Sequence, residues 1–175
     1  MILKSDISKN EYASFYGGYI YLVKSDVTVV EALNQSFSLV LEYFENLSEE
    51  NANFRYAQDK WSLKEMLLHC IDTERIMVYR ALRFSRNDTT ELPGFDQDIY
   101  VLESEASKKN IAQLIEEYKS VRNATLSLFK GFSTEQLKRS GIANGKRMSV
   151  RALGFVISGH ELHHLNICKE RYISN

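Results

Sequence analysis

The sequence contains few residues that interrupt helices. One proline, Pro93, and eight glycines occur in 175 residues. Proline removes a backbone donor and glycine has a low helix propensity, so their scarcity permits long uninterrupted helices. No internal repeat or low-complexity segment is evident, which argues against a solenoid or a fibrous protein.

Cysteines and long apolar runs are also scarce. The two cysteines, Cys70 and Cys168, are too few for a disulfide framework, and the first ten residues lack the charged and then apolar layout of a secretion signal. The most apolar run, residues 152–157, is far shorter than the roughly 20 residues that a spanning helix needs. We therefore expect a cytoplasmic protein that does not enter a membrane.

Neither sign of charge dominates. Twenty-two Lys plus Arg residues oppose 23 Asp plus Glu, which leaves a formal net charge of −1. This balance provides no field that would steer the protein toward nucleic acid, and no DNA-reading motif is recognisable. With 44% hydrophobic and 26% charged residues, the composition is that of a globular protein. The length suits one domain, so we predict a single domain over residues 1–175.

Apolar residues recur at three- and four-residue steps in four segments, which predicts four amphipathic helices. The predicted helices span about 26–47, 62–86, 107–130 and 149–172. A capping box formed by Ser62 and Glu65 begins the second, and Gly131 is placed to end the third. Because none of the four is apolar all round, they bury their stripes by packing together, and we predict an all-α four-helix bundle.

The segments outside these helices are long. The first 24 residues are rich in aromatics without a clear period, and we expect them to cover the bundle, partly as helix. Residues 87–106 contain Pro93-Gly94, which predicts a long connection with room for a short turn of its own. Residues 132–148 hold glycines and basic side chains, and we predict that they form a loop.

Three of the four histidines fall in the stretch G-H-E-L-H-H of the last predicted helix. At about 100° per residue, His160 and His164 face inward, whereas His163 lies roughly 100° off the apolar stripe. Side chains four apart are close enough for two imidazoles to bind one ion at about 2.0 Å. A pair that only hydrogen-bonds inside a core remains an alternative. His69, the remaining histidine, lies at the flank of the second helix's stripe and is the candidate third ligand.

Three neutral imidazoles with no carboxylate nearby would leave the ion its full charge and at least one open position. Catalytic sites have this arrangement, whereas structural sites are closed. Imidazole suits zinc, nickel, copper and iron(II), so these residues do not select one metal. A water or a thiol in the open position becomes more acidic, and both hydrolysis and thiol chemistry stay open.

Four further residues are candidates for the pocket or for contacts to the ligands. Asp72 could accept a hydrogen bond from the second ring nitrogen of a ligand such as His69, and a solvated role suits it as well. Glu161 could serve as a general base, but it lies about 60° off the stripe and a salt bridge is favoured. Trp61 could line the pocket mouth or pack on the first helical turn. Cys168 continues the histidine face, as a ligand, a nucleophile or simply a small buried hydrophobe.

The second predicted helix also has a basic side. Its arginines are Arg75, Arg80, Arg83 and Arg86. They could bind an anionic thiol cofactor or a phosphate, but a solvated face that pairs with nearby acids is favoured. The acids in question are Asp72, Glu74 and Asp88.

The order and spacing of several stretches resemble the DinB-like (YfiT-related) superfamily. These stretches read K-W-S-L-K-E-M-L-L-H-C-I-D-T-E-R, Y-R-A-L-R-F-S-R-N-D, L-P-G-F-D-Q-D and S-V-R-A-L-G-F-V-I-S-G-H-E-L-H-H-L-N. The resemblance covers nearly all of the chain. It implies a four-helix bundle with a three-histidine metal site, which maps onto His69, His160 and His164 of this sequence.

The resemblance implies a metal-dependent enzyme of a class that includes S-transferases, hydrolases and isomerases. We therefore expect one divalent transition metal, zinc or nickel foremost, a small-molecule substrate and, as a further candidate cofactor, a low-molecular-weight thiol. The alternative is a non-catalytic module that senses or stores a ligand, or serves as a scaffold, in a stress response. A homodimer is compatible with the sequence, and no nucleic-acid partner is expected.

Overall fold

Four long helices carry the fold of residues 2–172, the part of the chain that the computed structural model describes. The helices are α1 (Gly17–Leu22), α2 (Val29–Glu45), α3 (Glu49–Asn53), α4 (Leu63–Ser85), α5 (Gln97–Glu103), α6 (Ile111–Lys130), α7 (Thr134–Lys138) and α8 (Val150–Arg171). The long ones are α2, α4, α6 and α8, which confirms the predicted all-α bundle. Short 3₁₀ turns cover Lys4–Asp6, Lys9–Glu11, Ser14–Tyr16 and Ala106–Lys108.

Side-chain caps set where the long helices begin. Thr28, Ser62, Asn110 and Ser149 each accept a hydrogen bond from a backbone N–H of the first turn. The predicted capping box of Ser62 and Glu65 is confirmed. The third long helix begins later than predicted because a 3₁₀ turn precedes its Asn110 cap.

The long helices are arranged around the bundle in the order α2, α8, α4, α6. On this arrangement α2 lies diagonal to α4, and α6 lies diagonal to α8. Helices that follow one another in sequence but lie on a diagonal need connections that cross the bundle end, which explains the long segments 46–62 and 131–149. The Tyr172 hydroxyl donates to the Trp61 carbonyl, so the end of α8 lies beside the start of α4 and these two helices are antiparallel.

The predicted loop over 132–148 is wrong. This segment contains α7 and a hairpin of β1 (Ser140–Ala143) and β2 (Lys146–Ser149), which pair antiparallel. Asn144 and Gly145 have φ of 52° and 65°, the conformation that a type I′ turn requires and that Asn-Gly prefers. The backbone of Leu92 bonds to this hairpin, and so ties the connection between α4 and α6 to it.

The N-terminal segment, residues 2–24, packs on α8 through α1. The approach is close because Gly159 has no side chain: a Cβ there would lie 2.0 Å from the carbonyl oxygen of Tyr19. This agrees with the expectation that the aromatic segment covers the bundle partly as helix. Within residues 2–172, no helix combines the length and the apolar character needed to cross a bilayer.

A layer of buried polar side chains divides the core into two apolar clusters. On each long helix, buried polar residues lie between the positions that contribute to the first cluster and those that contribute to the second, and one residue from each helix joins a common network of hydrogen bonds and ion pairs. These residues are Ser36 on α2, Glu74 on α4, Arg122 on α6 and Glu161 on α8. The layer therefore crosses the whole bundle.

Arg122 is the centre of this layer. Its Nε and Nη2 atoms donate to the two carboxylate oxygens of Glu74 at 2.9 and 2.8 Å, and its Nη1 donates to the Leu33 carbonyl at 2.6 Å. Nη2 also lies 2.5 Å from Oε1 of Glu161, whose other oxygen accepts from the Ser36 hydroxyl at 2.8 Å. Burial raises the pKa of Glu161, and the Arg122 charge opposes that rise.

Substitution Arg122→Met should lower the free energy of unfolding by about 3–5 kcal/mol, because it leaves two buried carboxylates without their cation. Chemical denaturation followed by circular dichroism measures the change. The matched control is Arg75→Met, whose half-exposed guanidinium pairs with Asp72 and Glu117. Its effect should stay within about 1 kcal/mol. Equal losses in both variants would contradict the assigned role of Arg122.

Substitution Gly159→Ala should destabilise the protein by about 1–3 kcal/mol, because the new methyl group meets the backbone of Tyr19. Limited proteolysis should then cleave the N-terminal segment faster. Gly18→Ala is the control, since a Cβ at Gly18 meets no atom within 4 Å. That variant should be as stable as the parent or slightly more so. Faster cleavage in Gly18→Ala, or none in Gly159→Ala, would contradict this packing.

Candidate metal centre

Three histidine side chains meet between α4 and α8. Nε2 of His160 lies 3.1 Å from Nε2 of His69 and 3.0 Å from Nε2 of His164. One potential ligand atom from each of the three lies within 4.8 Å of the others. His69 and His160 are buried, and His164 is partly buried. The structure thus brings together the three residues that the sequence singles out.

The helix arrangement explains how His69 reaches this cluster. His160 and His164 are one turn apart on α8, so their rings lie on one face of the helix, where they meet edge to face with centroids 4.4 Å apart. α4 packs against both α8 and α6, and its buried surface is wider than one apolar stripe. His69 lies at the side of that surface that faces α8, which is why a helical wheel places it at the flank.

The three nitrogens fit a divalent metal ion. Bonds of about 2.0–2.1 Å in tetrahedral geometry place ligand nitrogens about 3.3–3.4 Å apart, close to the distances observed here. Hydrogen bonding alone explains the cluster less well, because Nε2 of His160 has either one proton or one lone pair to offer two neighbours. In addition, Nδ1 of His164 is buried with no hydrogen-bond partner among the described residues.

The rings are electrostatically ready to bind a cation. Burial lowers the pKa of His69 to about 4. Burial and the neighbouring histidines lower the pKa of His164 to about 3 and that of His160 well below its usual value. All three imidazoles are therefore neutral at pH 7 and carry no proton that a metal would have to displace.

Aromatic side chains enclose the cluster from two sides. The ring centroid of Trp61 lies 4.8 Å from that of His69 and 6.5 Å from that of His164. Tyr19 packs its edge against His160 at 5.3 Å. Trp61 thus lies beside the histidine cluster, which agrees with the interpretation that it lines the mouth of the pocket. Tyr19 was not predicted, because only the tertiary contact of the N-terminal segment with α8 brings it there.

The remaining candidates lie outside the histidine cluster. Asp72 pairs with Arg75 at 3.2 Å, and none of its hydrogen bonds in the described residues reaches a histidine. Glu161 is held in the Arg122 layer, in agreement with the favoured salt bridge. Cys168 is buried in an apolar cluster, and burial raises the pKa of its thiol to about 12, so it stays protonated. His163 packs against Tyr19 and is half-buried.

Two cavities approach the histidines. The first cavity, of about 270 Å³, lies among the N-terminal segment, α4, the turn of the hairpin and α8, and reaches His160. The second cavity, of about 280 Å³, reaches His164. Trp61 and Tyr172 line the second cavity. The cluster is thus accessible to small molecules.

Arg80 lies in the wall of the first cavity and is only 3% exposed. The predicted solvated basic face of α4 is therefore wrong at this position, although Arg75 and Arg83 do pair with acids. The sequence contains the relevant signal, since Arg80 lies three residues after the buried Met77 and shares the inward stripe of α4.

Comparisons with known proteins agree with this architecture. A protein of Oceanobacillus iheyensis named "putative metal-dependent hydrolase" is 23% identical over 126 residues, which cover 71% of this chain and 72% of that protein. YfiT from Bacillus subtilis, described as a probable metal-dependent hydrolase with an unusual four-helix bundle topology, superposes with a TM-score of 0.70 at 13% identity. The superposition covers 81% of this chain and 82% of YfiT, and shows a common fold.

A family model provides the identification. The model described as the DinB superfamily matches residues 32–168, which include the four long helices almost completely and all three histidines of the cluster. The four long helices are consistent with the structural match to YfiT, which is itself described as a four-helix bundle. The chain belongs to the DinB superfamily.

Proposed function

We propose that the protein is a metal-dependent hydrolase in which His69, His160 and His164 bind one divalent transition metal. The observation that carries this proposal is the convergence of three neutral imidazoles, two of them buried and one partly buried, at a point that two cavities reach. The names of the two relatives support the same reaction class. Zinc and nickel are the leading candidates for the metal, since both suit imidazole ligands.

The bound ion would supply a Lewis acid with an open position, which makes a water or a thiol there more acidic. The protein's own residues provide the surroundings. The neutral histidines leave the charge of the ion uncompensated, and the Trp61 and Tyr19 rings restrict the orientation of the imidazoles and exclude bulk water from them. The substrate then enters through a cavity too small for a macromolecule, so we infer a small-molecule substrate.

The two cavities favour a second candidate, transfer to a small thiol. A hydrolase needs space for one organic substrate, because water is the other reactant. Here one cavity reaches His160 and the other reaches His164, so two organic reactants could approach the cluster from different sides. An S-transferase that couples a low-molecular-weight thiol to an electrophile would use both. The same three ligands serve either reaction.

Protein purified without an affinity tag should bind one zinc or nickel ion per chain. Elemental analysis after dialysis against each metal measures this stoichiometry. His69→Ala and His160→Ala should each lose at least about a hundredfold in metal affinity, because even contacts to a ligand's second nitrogen are worth 10–100-fold. His163→Ala is the control, since this ring lies on the same helix but outside the three-residue group. Metal retained by His160→Ala, or lost from His163→Ala, would count against the proposed ligands.

The reaction class is tested with metal-loaded protein and two assays. One follows hydrolysis of an activated ester such as p-nitrophenyl acetate without thiol, and the other follows consumption of a thiol together with a halogenated nitrobenzene. A hydrolase should act in the first assay alone, and an S-transferase in the second alone. In either case His160→Ala should remove turnover while circular dichroism shows an intact bundle. Turnover that persists in His160→Ala would refute both.

A further inference from the structure

Arg80 differs from the other buried basic side chains of the protein. Four such side chains are buried in residues 2–172, and three of them form ion pairs with carboxylates. The pairs are Lys64 with Glu49, Arg122 with Glu74 and Glu161, and Arg151 with Glu11. Arg80 has no carboxylate within salt-bridge distance in the described part of the chain. Its charge is therefore buried without compensation.

The contacts that Arg80 does make are with neutral groups. One Nη2 proton is donated to the Pro93 carbonyl at 2.9 Å, and Nη1 lies 3.7 Å from the sulfur of Met77, a weak acceptor. The guanidinium also interacts with the Tyr16 hydroxyl, another neutral group. A guanidinium has five N–H donors, so donors remain available. An unpaired buried charge is costly, and buried charges in proteins usually have a partner of opposite charge.

The side chain of Arg80 lies in the wall of the first cavity. Arg80 lines the first cavity together with Thr73, whose hydroxyl is buried and has no hydrogen-bond partner among residues 2–172. Thr73 is 5% exposed. The wall of this cavity thus contains a guanidinium without a carboxylate partner, next to a threonine whose hydroxyl has none. The rest of the wall is mixed. Its apolar and aromatic members include Phe15, Met77, Phe95 and Val156, and its polar members include Gln97 and Asn144.

We propose that the first cavity binds a small organic monoanion, with its carboxylate held by Arg80 and its apolar body packed between the aromatic side chains and α4. A carboxylate matches the planar fork of a guanidinium and its single charge. Arg80 is the only lysine or arginine among the residues that line the cavity, so a dianionic phosphate would remain half neutralised.

The position of Arg80 on α4 orients such a ligand. His69, Thr73 and Arg80 share one face of the helix, and Arg80 lies eleven residues after His69, about 16 Å along the axis. His160 lies at the histidine end of the same cavity. A carboxylate on Arg80 would therefore be distant from the metal ligands, and the body of the molecule would extend toward them. This orientation rests on the proposed function, because it places the reactive end of the ligand at the proposed metal site. The binding of an anion by Arg80 does not depend on the proposed function.

The test measures binding to metal-free protein, so that no carboxylate can bind a metal instead. Ligand-detected NMR titrations compare two carboxylates with their neutral amides: benzoate with benzamide, and 3-phenylpropanoate with 3-phenylpropanamide. Phenyl phosphate tests the dianion. In the parent protein at least one carboxylate should bind about ten- to a hundredfold more tightly than its amide, as expected for a charge-assisted hydrogen bond. Carboxylates that bind no better than their amides, or more weakly than phenyl phosphate, would overturn the proposal.

Variants separate this role from a structural one. Arg80→Gln should abolish the preference for carboxylate over amide, and Arg80→Lys should retain part of it. Arg83→Gln is the matched control, because Arg83 lies on the same helix, pairs with Asp88 and does not line the cavity. If Arg80 only tethers Pro93, Arg80→Gln will lower the melting temperature and leave the preference unchanged, and the proposal fails.

The same experiment distinguishes failure of the proposed function from failure of the proposed anion site. His69→Ala should lose the metal but keep the carboxylate preference, since His69 does not line the first cavity. A parent protein that binds no metal but prefers carboxylates would refute the proposed function and leave the anion site standing. A parent protein that binds metal through the three histidines and shows no preference would refute the anion site alone.

Discussion

The guanidinium of Arg122 joins α6 to the other three long helices, and the geometry of the three-histidine cluster depends on it. It bonds to Leu33 on α2, to Glu74 on α4 and to Glu161 on α8. Glu161 is adjacent to His160, about 100° around α8, so the ion pair determines which way the histidine face of that helix points. Because leaving a buried charge unpaired is costly, a rotated α8 is strongly disfavoured. The network contributes to the uniqueness of the packing more than to net stability.

Local chemistry made most of the fold predictable. Each long helix begins at a Ser, Thr or Asn cap and has an apolar stripe, and both features are visible in the sequence. The hairpin was missed because glycines and basic residues were interpreted as a loop by composition, whereas the Asn144-Gly145 pair indicates a specific turn. The diagonal arrangement of the helices could not be predicted, since it depends on which stripes pack together and an apolar stripe does not identify the helix that covers it.

The site was predictable where one helix carries the pattern and less so where two helices have to meet. His160 and His164 form a local pair, and a helical wheel suffices for them. His69 required the knowledge that α4 buries two sides, one against α8 and one against α6. Burial of Arg80 and Arg122 is hard to predict because arginine is usually solvated, although both lie on the inward stripes of their helices. A basic residue on such a stripe indicates either an ion-pair network or a site for an anion.

The long helices and the N-terminal segment contribute different parts of the site. The three histidines lie within the part that matches the family model, residues 32–168, on two helices that pack rigidly against each other. Phe15, Tyr16 and Tyr19, which line the first cavity, lie before that match. A metal centre on a rigid scaffold can be kept while the walls around it change, because segments outside the core tolerate substitution better than packed helices do. The N-terminal segment therefore forms part of the wall of the cavity that leads to His160, whereas α4 and α8 provide the histidines themselves.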